Sequence, residues 1–265
     1  MLQGTCFFSF FQYHLFPKGA VMWKLFFEIC DILCWLIPNR RIRNKLRHEQ
    51  LFDWRRKYNA LRKKYPELNF KHTVMIKGGW NIGFIIDNRY VFKIRKHIDR
   101  SVPTSKITRE QRITNALADV SPLRIPRIEI VRTGGYTFYK YDFIPGKNLN
   151  KLRMGTIIRH REKWGRQIAE FIYAVHNARP DGLDDLRGNA PGDGWNHNDM
   201  CNNMIVDTRS MTIVGLIDWE YAGWGTLKSE FDNTVVFSSK MRRSGIQRVI
   251  ISHYQYLANK QIDKE

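Results

Sequence analysis

Residues 195–223 have the sequence WNHNDMCNNMIVDTRSMTIVGLIDWEYAG, which is the most informative stretch of the chain. A polar loop with His197 and Asp199 leads into one apolar run, and a second apolar run, at 213–217, ends at Asp218. The two runs predict an antiparallel hairpin that brings both acidic residues to the same end. Such a pair suits phosphoryl transfer, because one carboxylate orients the attacking hydroxyl while the other holds magnesium beside the transferring phosphate.

The chain before this stretch divides into a β-rich part and a helical part. A helix is predicted at 108–118, with Thr108 as its N-cap. From Asn150 onward, apolar residues such as Trp164 and Ile168 recur at helical spacing. Strands are predicted at 72–77, 83–88, 90–95, 127–133 and 136–143. This order is typical of an α+β fold with a small antiparallel sheet and one helix before a mainly helical region.

The residues around Asp199 and Asp218 resemble the aminoglycoside phosphotransferase and choline kinase family. In that family the catalytic loop contains His-x-Asp followed by an Asn, and the metal-binding Asp opens an Asp-Trp-Glu or similar motif. Here the matching residues are His197-Asn-Asp199 and Ile-Asp218-Trp-Glu-Tyr-Ala-Gly, which are closer to the choline and ethanolamine kinase branch. The resemblance spans 71–232, about 60% of the chain, and implies a bilobal protein-kinase-like fold that binds ATP and Mg²⁺.

The resemblance also implies a role for each matching residue. Asp199 looks like the catalytic base or hydroxyl-orienting residue, and Asp218 looks like the magnesium ligand. His197 is similar to the residue that braces the catalytic loop. Asp232, further along the chain, resembles the Asp that stabilises this loop from a distance.

The position of the second metal ligand departs from the kinase pattern. That pattern places an Asn five residues after the catalytic Asp, where this chain has Met204. Asn202 and Asn203 lie just before it. An amide oxygen is a suitable hard ligand for magnesium, whereas a thioether sulfur is a poor one. Asn203 is therefore the preferred ligand, in a loop that is one residue shorter, with Asn202 as the alternative.

The family's nucleotide-binding residues have counterparts upstream. Gly78, Gly79 and Gly83 fall in a predicted hairpin, where glycines let backbone amides approach phosphate oxygens, although an ordinary turn has the same pattern. Lys93 lies in a predicted strand and resembles the lysine that pairs with the ATP phosphates; the alternative is a solvated strand lysine. Glu110, in the predicted helix, resembles the ion-pair partner of that lysine.

Composition limits the partners and the compartment. The 265 residues include 44 Lys and Arg against 25 Asp and Glu, a formal net charge of +19, which favours polyanionic partners. Because no stacking motif of the RNA-binding type accompanies this charge, no specific nucleic-acid partner is predicted. The cysteines are too few and too irregularly spaced for a disulfide framework, which indicates a cytoplasmic protein. Cys30 and Cys34 share a predicted helix face and are interpreted as buried thiols, because no nearby His or second Cys pair completes a zinc site.

The N-terminal segment lies outside the family resemblance. Residues 21–37 have a helical pattern in which three charges argue against a membrane span. Residues 39–64 follow with eleven Lys or Arg against two acids. Two interpretations are open: residues 21–64 contact the inner face of an anionic membrane peripherally, or the helix packs on the domain beside a solvated basic segment.

The predicted organisation has three parts. An N-terminal helical extension occupies 1–69, a nucleotide-binding lobe 70–146, and a catalytic lobe 147–265. The Ile-Pro-Gly segment at 144–146 resembles the hinge between lobes, where backbone groups of the family meet adenine. The length suits one such two-lobed protein.

The acceptor of the phosphate is open between two classes. The first is a small alcohol such as choline or ethanolamine, for which Trp195, Trp219, Tyr221 and Trp224 form either an aromatic cage or part of the core. The second is a sugar hydroxyl of a surface-glycan precursor, including a lipopolysaccharide or another lipid-linked sugar at the membrane. A non-catalytic pseudokinase that serves as a binding module is a further alternative, motivated by Met204 at the metal-ligand position.

Overall fold

The chain forms two units. The structure, a computed structural model, describes residues 11–14, 33, 36–39, 53–77, 81–95, 104–189, 191–233 and 239–262. The first unit comprises Met1–Val102 and Ile128–Phe143, and the second comprises Pro103–Arg127 and Ile144–Glu265. Each unit has its own cluster of buried apolar side chains.

The described elements confirm the predicted α+β class. The first unit contains β1 (Phe11–His14), α1 (Asp53–Lys64), β2 (Thr73–Lys77), β3 (Asn81–Ile86), β4 (Tyr90–Arg95), β5 (Glu129–Thr133) and β6 (Tyr136–Asp142). The strands of the second unit are β7 (Lys147–Asn148), β8 (Gly194–Asn196), β9 (Met204–Asp207), β10 (Thr212–Leu216) and β11 (Gly223–Gly225). Its helices are α2 (Thr104–Leu117), α3 (Met154–Asn177), α4 (Leu227–Phe231), α5 (Ser239–Ser244) and α6 (Ile246–Ile262), with 3-10 turns at Leu149–Lys151 and Asp184–Leu186.

An antiparallel sheet with the order β1-β2-β3-β4-β6-β5 forms most of the first unit. Strands β2 to β6 occupy the five predicted stretches, with ends displaced by two residues or fewer. Asp87 and Asn88, in the turn between β3 and β4, both have a φ of 53°, a region that Asp and Asn tolerate better than most residues. The Asp87 carboxylate also accepts hydrogen bonds from the backbone N–H groups of Asn69, Phe70 and His72.

Helix α1 packs on this sheet and belongs to the first unit, whereas the prediction placed it in a separate extension ending at residue 69. Leu61 is buried in the same cluster as Phe84 and Phe138. Lys57 is also fully buried, and its ammonium group donates to the backbone carbonyl of Arg95 at 3.4 Å. The basic residues of the last turn are exposed: Arg62, Lys63 and Lys64. For residues 53–64, packing on the domain is therefore the better interpretation.

The predicted helix at 21–37 and the basic stretch at 40–52 lie largely outside the described residues. Among the helices that the structure describes, none has the length and apolar character needed to cross a bilayer. Contact of residues 21–64 with a membrane surface stays a prediction.

Helix α3 lies at the centre of the second unit's core. Its apolar stripe is buried as the spacing predicted, and it includes Trp164 and Ile168. The indole N–H of Trp164 donates to the backbone carbonyl of Met211 at 2.8 Å, which satisfies the polar atom of a buried ring. The helix begins at Met154 rather than near residue 150, because a 3-10 turn capped by the side chain of Asn148 precedes it.

Helix α2 begins at Thr104, so Thr108 lies one turn inside it and is not its N-cap. The sequence contains a start signal in Pro103, directly before the first helical residue, since proline is favoured at helix beginnings. Ile113 and Leu117 on this helix are buried in the core of the second unit. The helix therefore packs with the second unit, although the prediction grouped it with residues 70–146.

Helices α3 and α6 approach closely at Gly165. A Cβ atom at this position would lie 2.7 Å from Val249 Cβ, closer than packed atoms allow. Val249 is β-branched and sits near its own backbone, so it has little freedom to move aside. The absence of a side chain at Gly165 thus permits this helix contact.

We expect Gly165→Ala to destabilise the protein by about 1 to 3 kcal/mol, because the added methyl group separates α3 from α6. Gly155→Ala is the matched control in the same helix, since a Cβ there meets nothing within 4 Å. It should be neutral or stabilising by up to about 1 kcal/mol. Urea unfolding midpoints measure both changes, and equal midpoints for the two variants would contradict the packing described.

Candidate active site

The hairpin of β9 and β10 positions the two acidic residues of the site. The strands pair in antiparallel fashion, and a bond from the Ile217 N–H to the Asn203 carbonyl, 3.1 Å long, extends the pairing at the open end. Asp199 lies just before β9, and Asp218 directly follows Ile217. Both carboxylates therefore belong to the same end of the hairpin.

The charges of Asp199 and Asp218 interact. Burial is the main cause that raises the pKa of the Asp199 carboxyl to about 6, and repulsion from Asp218 is the next. Hydrogen bonds from the side chains of Asn203 and Asn202 act in the opposite direction. The structure thus brings together the two carboxylates that the sequence singled out.

The outer edge of β10 is covered by the segment before β5. Arg124 forms a parallel bridge with Gly215, accepting from the Leu216 N–H at 2.9 Å and donating to the Val214 carbonyl at 3.2 Å. A Cβ atom at Gly215 would lie 2.8 Å from the Arg124 carbonyl oxygen, so glycine permits this approach. The strand that leads to Asp218 is held on both edges, by β9 and by this segment.

His197 connects the predicted catalytic loop, residues 197–203, to the strand that leads to Asp218. Its ring is buried; Nδ1 accepts from the Asp199 N–H at 3.1 Å, and Nε2 lies 3.1 Å from the Ile217 carbonyl. A carbonyl can only accept, so Nε2 carries the proton and the ring is a neutral imidazole. Trp219 packs edge-on against this ring, with 4.7 Å between ring centres. His197 orients the backbone beside Asp199 and does not face a reacting group through either nitrogen.

A buried carboxylate of α4 accepts hydrogen bonds from the backbone of the loop that contains His197 and Asp199. Glu230 is 2% exposed, and its Oε2 accepts from the N–H of His197 at 2.6 Å and of Asn198 at 3.1 Å. The prediction that Asp232 stabilises this loop is wrong, because Asp232 forms an exposed ion pair with Lys228 at 2.5 Å. Helical residues two positions apart do not share a face, so Asp232, directly after this short helix, is directed away from the loop.

Sequence reasoning also missed Asn198. Its φ of 64° lies in the left-handed region, which Asn tolerates. Its amide nitrogen donates to the Tyr221 carbonyl at 3.1 Å, and its amide oxygen accepts from Asn233 at 3.3 Å. A small amide residue between His197 and Asp199 was the only signal in the sequence.

Asn203, the preferred candidate for the second metal ligand, contacts Asp199 directly. The Asn203 amide nitrogen donates to the Asp199 carbonyl at 2.8 Å and to its carboxylate at 3.0 Å, which leaves the amide oxygen out of both bonds. Met204 is the first residue of β9 and is buried in the core. Asn202 is exposed and bonds to the segment before α3 through Asn150.

The residues fit a magnesium ion. Asp218 and Asn203 offer a carboxylate and an amide oxygen, which are hard donors. Within the described ranges, no group of three or more His, Cys, Asp or Glu side chains could hold a metal ion. Two protein ligands suffice for Mg²⁺ when nucleotide phosphates and water supply the rest. Repulsion between Asp199 and Asp218 is also of the kind that a divalent cation offsets.

The sulfur atoms near the site lie in the core. Met200, Cys201 and Met204 are all buried among apolar side chains. Burial is the main cause that raises the pKa of the Cys201 thiol to about 12, so this thiol stays protonated. A protonated buried thiol is a poor nucleophile. Cys30 and Cys34, which were interpreted as buried thiols, lie outside the described residues.

The four aromatic residues near the catalytic loop do not form a cage. Trp195 and Trp219 are each 1% exposed and belong to the core, whereas Tyr221 is exposed on the surface. Two guanidinium groups lie over the Trp224 ring, at 5.0 and 4.5 Å from its centre: those of Arg179 and Arg187. The core-packing interpretation therefore applies to Trp195 and Trp219.

The predicted nucleotide residues of the first unit lie on its sheet. Gly83 in β3 is paired directly with Lys93 in β4. Lys93 is 8% exposed, and its ammonium nitrogen lies 5.6 Å from the Tyr139 ring centre, so it is not a solvated strand lysine. Gly78 and Gly79 lie outside the described residues.

Glu110 lies in the middle of α2 and is 7% exposed. Charged residues are rarely buried to this degree unless they are paired. Its pairing with Lys93 stays a prediction.

Replacing Glu230 tests the support of the catalytic loop. Glu230→Ala should destabilise the protein by about 2 to 4 kcal/mol, because two backbone N–H groups lose a buried acceptor. Asp232→Ala, two residues away, should change stability by less than about 1 kcal/mol, since its ion pair is exposed. Urea unfolding gives both values, and faster amide exchange at His197 and Asn198 should accompany only the first variant. Equal losses of stability in the two variants would show that Glu230 is not the main support of the loop.

The comparisons with known proteins concern the fold. No family model matches this sequence, and no curated protein matches it. Solved structures do match. The ADP-bound aminoglycoside phosphotransferase APH(2'')-Ib has a TM-score of 0.58 and 15% identity, over 78% of this chain and 84% of that chain.

Two further structures agree with this match. The streptomycin–ATP ternary complex of APH(2'')-IIa has a TM-score of 0.55 and 17% identity, over 75% of this chain and 82% of that chain. Aminoglycoside phosphotransferase APH(3'')-Id from Streptomyces rimosus has a TM-score of 0.55 and 13% identity, over 76% of this chain and 92% of that chain. The chain therefore has the protein-kinase-like fold of the aminoglycoside phosphotransferases, as its catalytic-loop residues predicted.

Proposed function

We propose that the protein is an ATP-dependent phosphotransferase that transfers the terminal phosphate to a hydroxyl group of a small molecule. The observation that carries this proposal is the meeting of Asp199, Asn203 and Asp218 at one end of the β9–β10 hairpin. The fold adds support, because two of the matching structures are described as complexes with ADP or ATP.

In this proposal, Asp199 orients the acceptor hydroxyl and takes its proton as the oxygen attacks the terminal phosphate of ATP. A carboxyl with a pKa of about 6 is a stronger base than an ordinary Asp and is still largely ionised at neutral pH. The Asn203 amide fixes one carboxylate oxygen by its bond of 3.0 Å. Asp199 is thereby held in one orientation toward the acceptor.

Asp218 and Asn203 would hold Mg²⁺, and Lys93 would pair with the ATP phosphates. A bound magnesium ion supplies neutralisation of the charge that spreads over the phosphate oxygens during transfer. Glu110 would orient Lys93 through an ion pair. Gly83, with Gly78 and Gly79, would let backbone amides approach the phosphates.

Of the two acceptor classes, a sugar hydroxyl is better supported than choline or ethanolamine. A quaternary ammonium group needs an accessible aromatic face, but Trp195 and Trp219 are buried in the core. Arg179 and Arg187 lie over the Trp224 ring. We therefore favour a sugar acceptor, which includes the lipid-linked sugars of surface glycans.

Asp199→Asn should lower phosphate transfer about 100- to 10,000-fold, because the acceptor loses its base, while ATP binding with magnesium persists. Asp218→Asn should abolish the magnesium dependence of ATP binding, since the variant loses a charged ligand. Transfer is measured with γ-labelled ATP across sugars, aminoglycosides, choline and ethanolamine. Binding is measured by calorimetry with and without magnesium.

Asp207→Asn is the matched control for these variants. Asp207 lies at the far end of β9, where its carboxylate accepts from the Arg209 N–H and the Ser210 hydroxyl, both at 2.9 Å. An Asn oxygen can accept from the Arg209 N–H, and the exposed Ser210 hydroxyl can rotate to accept from the Asn amide nitrogen. Activity should therefore match the wild type. Full transfer by Asp199→Asn would contradict the proposal. A wild type that binds ATP without transfer or hydrolysis would instead support a pseudokinase module.

We extend the proposal to peripheral contact with anionic membranes through residues 21–64. The basic turn of Arg62, Lys63 and Lys64 supports it, because these side chains are exposed and anionic lipid head groups attract such charges. Such contact would bring the enzyme to a lipid-linked acceptor.

Replacing Arg62, Lys63 and Lys64 together by Gln should weaken binding to vesicles that contain phosphatidylserine by about 100-fold, at about 1 kcal/mol per charge. The control replaces two exposed basic residues of α3, Arg159 and Arg166, by Gln and should leave vesicle binding close to that of the wild type. Cosedimentation at low salt measures both. Unchanged binding in the first variant would remove this turn from the membrane proposal.

A further inference from the structure

Arg109 connects α2 to the turn that follows Asp218. Its Nη1 donates to the backbone carbonyl of Ala222 at 2.6 Å. The side chain is half-buried, and burial lowers the pKa of the guanidinium, which nonetheless stays charged at neutral pH. A charged donor on a carbonyl in such surroundings is among the stronger hydrogen bonds in proteins.

Gly223 leaves the space that the Arg109 guanidinium occupies. A Cβ atom there would lie 2.7 Å from Arg109 Nη2, so any larger residue would displace the group. Gly223 does not adopt a left-handed backbone conformation. Glycine at this position is therefore explained by the space that the guanidinium needs and not by backbone conformation.

The turn after Asp218 is fixed at several points. The His197 ring meets the Ile217 carbonyl before it, and Asn198 donates to the Tyr221 carbonyl within it. These two contacts come from the catalytic loop. The contact from Arg109 to Ala222 comes from a separate helix, and the next residue on that helix is Glu110.

We infer that Arg109 is a positioning residue that couples the orientation of the Glu110 helix to the magnesium-binding turn at Asp218. This inference rests on the proposed function, because it assigns Glu110 and Asp218 to the nucleotide site. A shift of the turn moves Ala222, and through Arg109 it moves α2. Magnesium binding and the orientation of Glu110 then depend on each other.

Arg109→Met removes the donor and should raise the magnesium concentration for half-maximal ATP binding about tenfold, the loss expected for one charge-assisted hydrogen bond. Arg109→Lys keeps one charged donor and should restore part of the wild-type value. Gly223→Ala leaves Arg109 in the sequence but displaces its guanidinium, and should raise the same concentration. Calorimetric titration of ATP at a series of magnesium concentrations gives these values without requiring an acceptor.

Arg112→Met is the matched control on the same helix. Arg112 lies one turn further on, is exposed, and pairs with Asp185 at 2.6 Å. Its removal should leave the magnesium dependence of ATP binding unchanged. Thermal unfolding without nucleotide distinguishes loss of coupling from loss of fold in every variant.

A double-mutant cycle with Glu110→Gln separates coupling from general stability. If Arg109 acts through the Glu110 helix, Arg109→Met should have a much smaller effect in the Glu110→Gln background than in the wild type. Equal effects in both backgrounds, or a wild-type magnesium dependence in both Arg109→Met and Gly223→Ala, would overturn the inference while leaving the proposed function intact. Failure of the wild type to bind ATP in a magnesium-dependent way would overturn both.

Discussion

Two carboxylates of like charge, Asp199 and Asp218, must be held close together in a partly buried site, and the architecture of the second unit depends on meeting this constraint. Burial, together with the repulsion from Asp218, raises the pKa of Asp199 to about 6. Asn198 and Asp218 also adopt left-handed backbone conformations, each with a φ of 64°. Both features cost free energy, so the surrounding structure must compensate for them.

The compensation comes largely from groups that do not change the net charge at the carboxylates. His197 acts as a neutral imidazole between two backbone groups, and Asn203 acts through its amide. Glu230 is charged, but its carboxylate is directed to backbone N–H groups behind the loop. None of these three groups brings a positive charge to Asp199 or Asp218, which suits a site for a divalent ion.

Local patterns in the sequence were sufficient to predict the features that depend on residues close together in the chain. The β9–β10 hairpin, the strands around Lys93 and the buried stripe of α3 follow from periodicity and spacing. Contacts between distant segments were not predictable in this way, since they depend on tertiary packing. The choice of Glu230 over Asp232, the burial of Lys57 and the packing of α2 with the second unit all belong to this second class. Thr108 was misassigned because a local cap signal competed with the proline before residue 104.

Residues 199–204 contain both hard oxygen ligands and soft sulfur ligands for metal ions, and the fold places the two kinds in different surroundings. Met200, Cys201 and Met204 point their sulfur atoms into the apolar core, while Asn203 lies against the Asp199 carboxylate. Because these three side chains are buried, their sulfur atoms are not accessible to an ion that approaches the carboxylates from solvent, and thiophilic ions such as cadmium prefer sulfur ligands. The same few residues that complete the core thus keep soft donors away from a position that offers hard oxygen ligands.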